Sequence, residues 1–600
     1  MLLLAGLATA AKAESYQNLA VVMPVMSCGQ LIKTDLAKAV GAAVTIKAAA
    51  ETDTAKGKYC KVTGTIAPSI NFEADLPMEH WTQRYAQGGC GAYCGNVSVK
   101  LERAGSCMPA LNGEFAVAAD DMGHQGGMGG PGSSSSQPEG AFGADPDKRI
   151  DFAYRANHET ALATKALIKI FYGQPQKYAY FLGCSDGGRE ALVEAQRYPN
   201  DFDGISAGAP VAIVSMHNSF FHGWESAANK RADGTYILLR DRLSILHDAV
   251  LKHCQTLSGV DDGLLEDPVG CKFDSAWVEC APGAADTSKC LTAEEAAVAK
   301  KLYDGPGDGQ GHLFEISGFD MGSEMDWRIA SSATPQTSGG SGGGGMQTAS
   351  VKYLLLPNVA SDDEISRFGF TQEWFDKLEP MAHLMNAANT DLKPFEARGG
   401  KLIIWHGLSD TSVPPAISVA YYQGVQKLLG EKVTDEFLRL FLIPGVGHCG
   451  NGEGFPQIDT LSPLMAWTEM HQAPKQIIAG RISNQTAGMG FGSPGGQGQG
   501  GPGGAQQAGQ GGQRQGGPGG ASTPYAQADK PTTATRPVYP YPYVAHYSGK
   551  GDANDAANYE PVKVPESLPL VFNTEATKLI GPDNQLFYHS ENGQLVGDKK

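Results

Sequence analysis

The sequence predicts an α/β fold on three observations: short apolar runs that read as strands buried on both faces, helical patterns between them, and a serine set where one run meets a helix. The runs are Glu114 to Asp120 (EFAVAAD), Tyr178 to Gly183 (YAYFLG), Lys401 to Gly407 (KLIIWHG) and Leu438 to Gly445 (LRLFLIPG). None alternates apolar with polar residues, so each is expected inside a parallel sheet covered on both sides. Helical spacing of apolar residues fills His158 to Gly173 ahead of the second run and Gly188 to Pro199 behind it.

The residues Gly183, Cys184, Ser185, Asp186 and Gly187 fit G-x-S-x-G. The match alone is weak, but here the serine ends a predicted strand and opens a predicted helix, the sharp turn that lifts a nucleophilic hydroxyl clear of a sheet. The bland alternative is a glycine-rich turn. An α/β hydrolase orders its triad serine, acid, histidine along the chain, with acid and histidine after later strands. Asp410 follows the Lys401 run and precedes a Val-Pro-Pro, and His448 follows the Leu438 run. His406 is a nearer rival for the base, but it precedes the acid and falls at the strand end. The expectation is an α/β-hydrolase fold with Ser185, Asp410 and His448 as its triad. Asp186 would supply one oxyanion N–H.

Cys184 directly precedes the serine and Cys449 directly follows the histidine. If Ser185 and His448 come within hydrogen-bonding distance, these neighbours come close enough for a disulfide. Such a bridge would occupy a sulfur that is otherwise open to oxidation beside the nucleophile.

The start, MLLLAGLATAAKA, reads as the apolar region and A-x-A site of a signal peptide over residues 1–13, lacking a basic leader; a buried N-terminal helix is the other reading. Eleven cysteines suit an oxidising compartment, and their odd number leaves one unpaired. Zinc competes at Cys90 and Cys94, though no second ligand pair lies near them. A net charge of -17 without basic clusters argues against nucleic-acid binding, and no apolar stretch is long enough to span a bilayer. The expectation is an exported protein, periplasmic or extracellular. No oligomeric state is implied. Three glycine-rich tracts, from Gly123, from Thr334 and over about 487–528, lack the side chains to pack and read as surface insertions.

Six blocks in this order resemble the tannase and feruloyl esterase family of α/β hydrolases: LPMEHWTQRYAQGGCGAYCG, FAVAADDMGHQG, GCSDGGREALVEAQRYPNDFDGISAGAP, KLIIWHGLSDTSVPP, IPGVGHCG and RPVYPYPYVAHYSGKGDANDAANY. The resemblance implies hydrolysis of carboxylic esters, with small phenolic acid esters as substrates, no cofactor needed for catalysis, and a bridge between Cys184 and Cys449. It implies a second oxyanion amide near Gly89. A terephthalate monoester hydrolase would share the same catalytic residues; a catalytically silent surface-binding protein is the rival of another class, and an intact triad argues against it.

About 225 residues separate Ser185 from Asp410, and the resemblance implies an inserted lid there. The expected organisation is a hydrolase domain over 14–219 and 395–600, interrupted by a lid over 220–394. In the lid, Trp327, Phe368, Phe370 and Trp374 are candidates to stack on an aromatic acyl group. Relatives hold calcium in a lid loop rich in aspartate. Here Gln255 and Ser258 replace two of those residues, leaving Asp262 with the carbonyls of Val260 and Leu264 for a structural Ca2+. Against the family pattern, Cys254 would pair with Cys271, Cys280 with Cys290, and Cys28 with Cys60, leaving Cys90, Cys94 and Cys107 with one odd member. His124 and His158 lie in family-like blocks and are expected to be structural or to support the site residues from behind.

Overall fold

The computed structural model describes residues 16–126, 138–254, 257–268, 270–327, 344–482, 532–564 and 574–598. The expected signal segment and the tract over 487–528 lie outside the described residues, as do the centres of the other two glycine-rich tracts.

Nine strands form the main sheet: β1 (Val44–Thr54), β2 (Gly57–Ile66), β3 (Ile70–Pro77), β4 (Arg84–Gly88), β5 (Phe115–Asp120), β6 (Tyr178–Cys184), β7 (Gly204–Gly208), β8 (Lys401–Gly407) and β9 (Leu438–Ile443). Their spatial order is β1-β2-β3-β5-β4-β6-β7-β8-β9. The six strands from β5 to β9 run parallel. β1 to β3 form an antiparallel extension that joins the edge at β5. All four apolar runs read from the sequence are strands of this sheet. Because β4, β6, β8 and β9 share one direction, the loops after them gather along one edge, where open α/β sheets hold their ligands.

β4 and β7 carry no long apolar run. β7 is Gly-Ile-Ser-Ala-Gly, and its small residues are demanded by its neighbour: a Cβ on Gly208 would lie 2.2 Å from the Trp405 ring of β8. The helix Ala156–Tyr172 buries Leu167, Ile168 and Phe171 on the sheet. The helix Asp186–Arg197 has every residue buried, including Arg189 and Glu190. A helix so enclosed needs internal partners for its charges.

The segment between β7 and β8 divides in two. Phe221, Trp224, Leu246, Leu291, Leu302, Phe319 and Trp327 belong to an apolar cluster separate from the sheet's. Val351, Leu354, Phe375 and Leu384, later in the same segment, join the main core. An antiparallel pair, Ile477–Ile482 with Thr532–Val538, closes the two sides of the long glycine-rich tract. Among the described residues no helix is long and apolar enough to cross a membrane.

Five disulfides pair Cys28 with Cys60, Cys90 with Cys94, Cys184 with Cys449, Cys254 with Cys271 and Cys280 with Cys290. Cys107 is the odd cysteine, a buried thiol. The sulfurs of Cys90 and Cys94 are bonded to each other, which removes the zinc reading.

Candidate active site

Ser185 stands between β6 and the helix Asp186–Arg197 with φ +67° and ψ -120°, a strained conformation for a residue with a side chain. Its position is fixed by the turn: the Ser185 N–H donates to Gly208 O of β7 at 2.9 Å. A Cβ on Gly187 would lie 2.7 Å from Cys90 O, so glycine is required for the β4 loop to press against this turn. Ser185 Oγ lies 2.8 Å from His448 Nε2, and His448 Nδ1 lies 2.7 Å from Asp410 Oδ2. The three residues, far apart in sequence, thus form a continuous hydroxyl, imidazole and carboxylate chain. An imidazole so placed can take the hydroxyl proton and turn the oxygen into a nucleophile.

Asp410 is buried, and its carboxylate is met from both sides. Oδ1 accepts the N–H groups of Ser412 (2.8 Å) and Val413 (2.9 Å), while Oδ2 faces His448 and, at 3.2 Å, His406 Nε2. Burial alone would raise its pKa, but the neighbouring His448 and His406 outweigh burial and hold the carboxyl well below the usual aspartate range. It therefore stays ionised wherever the imidazole is needed as a base.

Cys184 and Cys449 are bridged, with their Cα atoms 5.9 Å apart, so the residues flanking serine and histidine are covalently tied. The histidine loop has a second tether that the sequence did not signal: Arg103 donates to the carbonyls of Cys449 and, at 2.6 Å, Pro456. Its guanidinium lies 4.7 Å from the centre of the Trp405 ring.

Asp186 opens the helix, so no carbonyl of that helix is in place to accept its N–H. Its carboxylate is paired with Arg189, Nε to Oδ1 at 2.6 Å and Nη2 to Oδ2 at 3.1 Å, which keeps that negative charge from facing the reaction centre bare. The expectation for Gly89 needs correction. Its N–H donates to Leu182 O at 2.9 Å, extending the β4–β6 ladder, so it is not available to an oxyanion. The following residue, Cys90, has its N–H 3.3 Å from Glu190 Oε2. Glu190 is buried, also accepts from Asn157 Nδ2 at 2.8 Å, and is pushed well above the usual range by burial and then by Asp186. The Cys90–Cys94 bridge shapes this loop, in which Ala92 and Cys94 both take positive φ.

The four aromatic candidates lie in the inserted segment. Trp327 is fully buried and donates its indole N–H to Ser323 Oγ at 3.0 Å; Trp374 is buried and donates to Arg367 O at 2.9 Å. Both are packing residues. Phe368 and Phe370 are half-buried and pack on Phe220. Contact between the inserted segment and the site comes through other atoms: Thr411 Oγ1 reaches Asp326 O and Ser409 Oγ reaches Gly322 O, each at 3.5 Å.

The proposed calcium ligands do not fit a divalent cation. Asp262 Oδ2 lies 2.6 Å from Arg536 Nη1, its Oδ1 accepts the Leu264 N–H at 3.2 Å, and Val260 O accepts from Ser258 Oγ at 3.0 Å. The one carboxylate of the set is already neutralised by a guanidinium, itself held between the Phe455 and Tyr559 rings at 4.7 Å each. Gln255 lies outside the described residues. His124 stacks on Phe142, and His158 pairs with Asp201 and stacks on Tyr198, as expected of structural histidines.

The sequence model of the family described as tannase and feruloyl esterase matches residues 54–562. The chain is 28% identical to the mono(2-hydroxyethyl) terephthalate hydrolase of Piscinibacter sakaiensis, over 84% of each chain. It is 30% identical to a probable feruloyl esterase of Arthroderma benhamiae, over 67% of this chain and 74% of that one. The solved feruloyl esterase B of Aspergillus oryzae has the same fold, with a TM-score of 0.65 at 22% identity over 87% of this chain and 96% of that one. This chain therefore belongs to the tannase and feruloyl esterase family and is a carboxylic ester hydrolase.

Proposed function

We propose that the chain is an exported serine esterase that cleaves phenolic acid esters, such as feruloyl or galloyl esters, with Ser185 as nucleophile, His448 as base and Asp410 as its orienting acid. The observation that carries this reading is the unbroken path from Ser185 Oγ through His448 to Asp410, at 2.8 and 2.7 Å. His448 takes the serine proton as Oγ attacks the ester carbonyl, and then gives it to the departing alcohol oxygen, leaving an acyl-enzyme. Water attacks that ester by the same route in reverse, releasing the acid and restoring Ser185. The N–H groups of Asp186 and Gly91 hold the oxyanion, since that of Cys90 is given to Glu190. Within residues 220–394, the part with its own apolar cluster, from Phe221 to Trp327, acts as the lid, and the half-buried Phe368 and Phe370 are the candidate contacts of an aromatic acyl group.

A second reading, a terephthalate monoester as substrate, is favoured by the likeness to the Piscinibacter sakaiensis enzyme. Export is supported by the five disulfides.

The test is a panel of gallate, ferulate, chlorogenate and terephthalate monoesters, run with a serine-directed phosphonate as label. Hydrolysis of the phenolic esters, abolished by Ser185→Ala, is expected. Preference for the terephthalate monoester selects the second reading. An unlabelled Ser185 and no turnover would leave a binding protein.

A further inference from the structure

Beyond the triad, one fully buried polar side chain touches the acid and takes no part in the proton transfers described above. His406 occupies the penultimate position of β8, with no measurable exposure. Its Nε2 faces two oxygens, Val413 O at 2.9 Å and Asp410 Oδ2 at 3.2 Å. Neither a carbonyl nor an ionised carboxylate can donate, so this nitrogen carries the proton. The other nitrogen, Nδ1, lies 2.8 Å from the buried Ser418 Oγ on the helix Ala416–Leu429, which fixes the ring's rotation. Asp410 Oδ2 is therefore shared between two imidazoles, one that takes part in proton transfer and one that does not.

We propose that His406 is a positioning residue of this esterase: its Nε2–H clamps Oδ2 of Asp410, fixing the lone pair that faces His448 and setting how strongly the carboxylate favours protonation of that base. The proposal rests on the triad reading. Val413 is central to it, because the same residue gives its N–H to Oδ1 and takes the His406 proton on its carbonyl, so carboxylate, loop and second imidazole form one closed ring of hydrogen bonds. A donor on Oδ2 spreads the negative charge away from His448. Losing that donor leaves the charge concentrated on the shared oxygen, which stabilises the protonated base and loosens the carboxylate's orientation. The other titratable groups coupled to Asp410 are His217, just before the inserted segment, and Asp320 within it. Both remain in every variant, so differences between variants isolate His406.

Two substitutions separate donor from packing. Gln at 406 places an amide N–H near the position of Nε2; Asn is shorter, can stay near Ser418, and does not reach Asp410. In His406→Asn, kcat per phosphonate-titrated site is expected to fall about 10-fold, and the acid limb of kcat/KM to move up by about half a pH unit. His406→Gln is expected to recover most of both effects. The proposal is overturned if His406→Asn keeps the wild-type acid limb and kcat per titrated site, or if His406→Gln is as impaired as His406→Asn. Failure of the triad itself reads differently, as absent phosphonate labelling of Ser185 in the wild-type protein.

Discussion

Replacing both Cys184 and Cys449 with alanine removes the bridge beside the serine and histidine and leaves the other four disulfides in place. The bridge closes a loop spanning 265 residues. In the chain-entropy treatment such a closure is worth roughly 5 to 6 kcal/mol through the unfolded state. A chain of this size has an unfolding entropy of ~1.2 kcal/mol/K, from ~2.1 cal/mol/K per residue, so the melting temperature should fall by about 4 to 5 °C. That is a modest loss, and Arg103 still holds the carbonyls of Cys449 and Pro456. The catalytic loss should be much larger. Cys449 has φ +54° and Ser185 φ +67°, so both loops adopt conformations that a residue with a side chain resists, and release of the link lets them relax apart. A displacement of about 1 Å between base and nucleophile costs on the order of 100-fold in rate. The assay pairs thermal unfolding with kcat/KM on a feruloyl ester, measured at least 15 °C (~15 °C) below the variant's melting point. A double variant that melts lower yet retains kcat/KM within about 2-fold of wild type would refute the idea that the bridge seats the nucleophile.

His247 of the inserted segment lies 2.7 Å from Glu324 and 3.8 Å from Glu453, on the loop after His448. Burial lowers its pKa, but the two glutamates outweigh burial and the net shift is upward. Its contribution to stability is thus complete below the ordinary histidine range and fades as pH rises through the raised value. His247→Gln should lower the melting temperature at pH 5.5 (~5.5) more than at pH 9 (~9), as read by calorimetry. Asp320 is pushed up to about 7, by burial first and then by Asp410 and Asp267. The folded protein therefore loses stability through this group as pH rises from the unfolded aspartate value towards 7, and Asp320→Asn should gain melting temperature above pH 7 and gain none below pH 4 (~4). With Asp262 paired to Arg536, exhaustive chelation should leave the melting temperature unchanged, whereas Arg536→Met should lower it by leaving the partly buried Asp262 carboxylate unpaired. Cys90→Ser with Cys94→Ser should lower kcat and leave KM nearly unchanged, because that bridge shapes the loop beside the oxyanion and not the acyl pocket.

What could be read from the sequence follows from how local each constraint is. Ser185 was legible because a strand, a G-x-S-x-G turn and a helix are contiguous, and Asp410 and His448 because each closes a long apolar run. The Cys184–Cys449 bridge was legible because each cysteine adjoins one of these residues. β4 and β7 were not, since Arg-Tyr-Ala-Gln-Gly and Gly-Ile-Ser-Ala-Gly owe their burial to neighbours such as Trp405 and not to their own apolar content. The extension of β1 to β3 was missed for another reason: β2 and β3 bury alternate residues and β1 is largely exposed, so none of the three forms a continuous apolar run. Gly89 was misassigned because the partner of its amide is set by the register of β4 on β6, which no single segment encodes. His406 stood in plain view four residues before Asp410. Only the geometry turned it from a competing base into a neighbour of the acid.

Cys107 gives the molecule a built-in reporter. With the other ten cysteines bonded in pairs, its thiol is the single free thiol of the chain, buried against Met465, and burial followed by Asp459 pushes its pKa up to about 12. A thiol-specific dye therefore cannot react until the segment carrying Cys107 moves off Met465, and the rate of labelling measures how often the intact enzyme opens there.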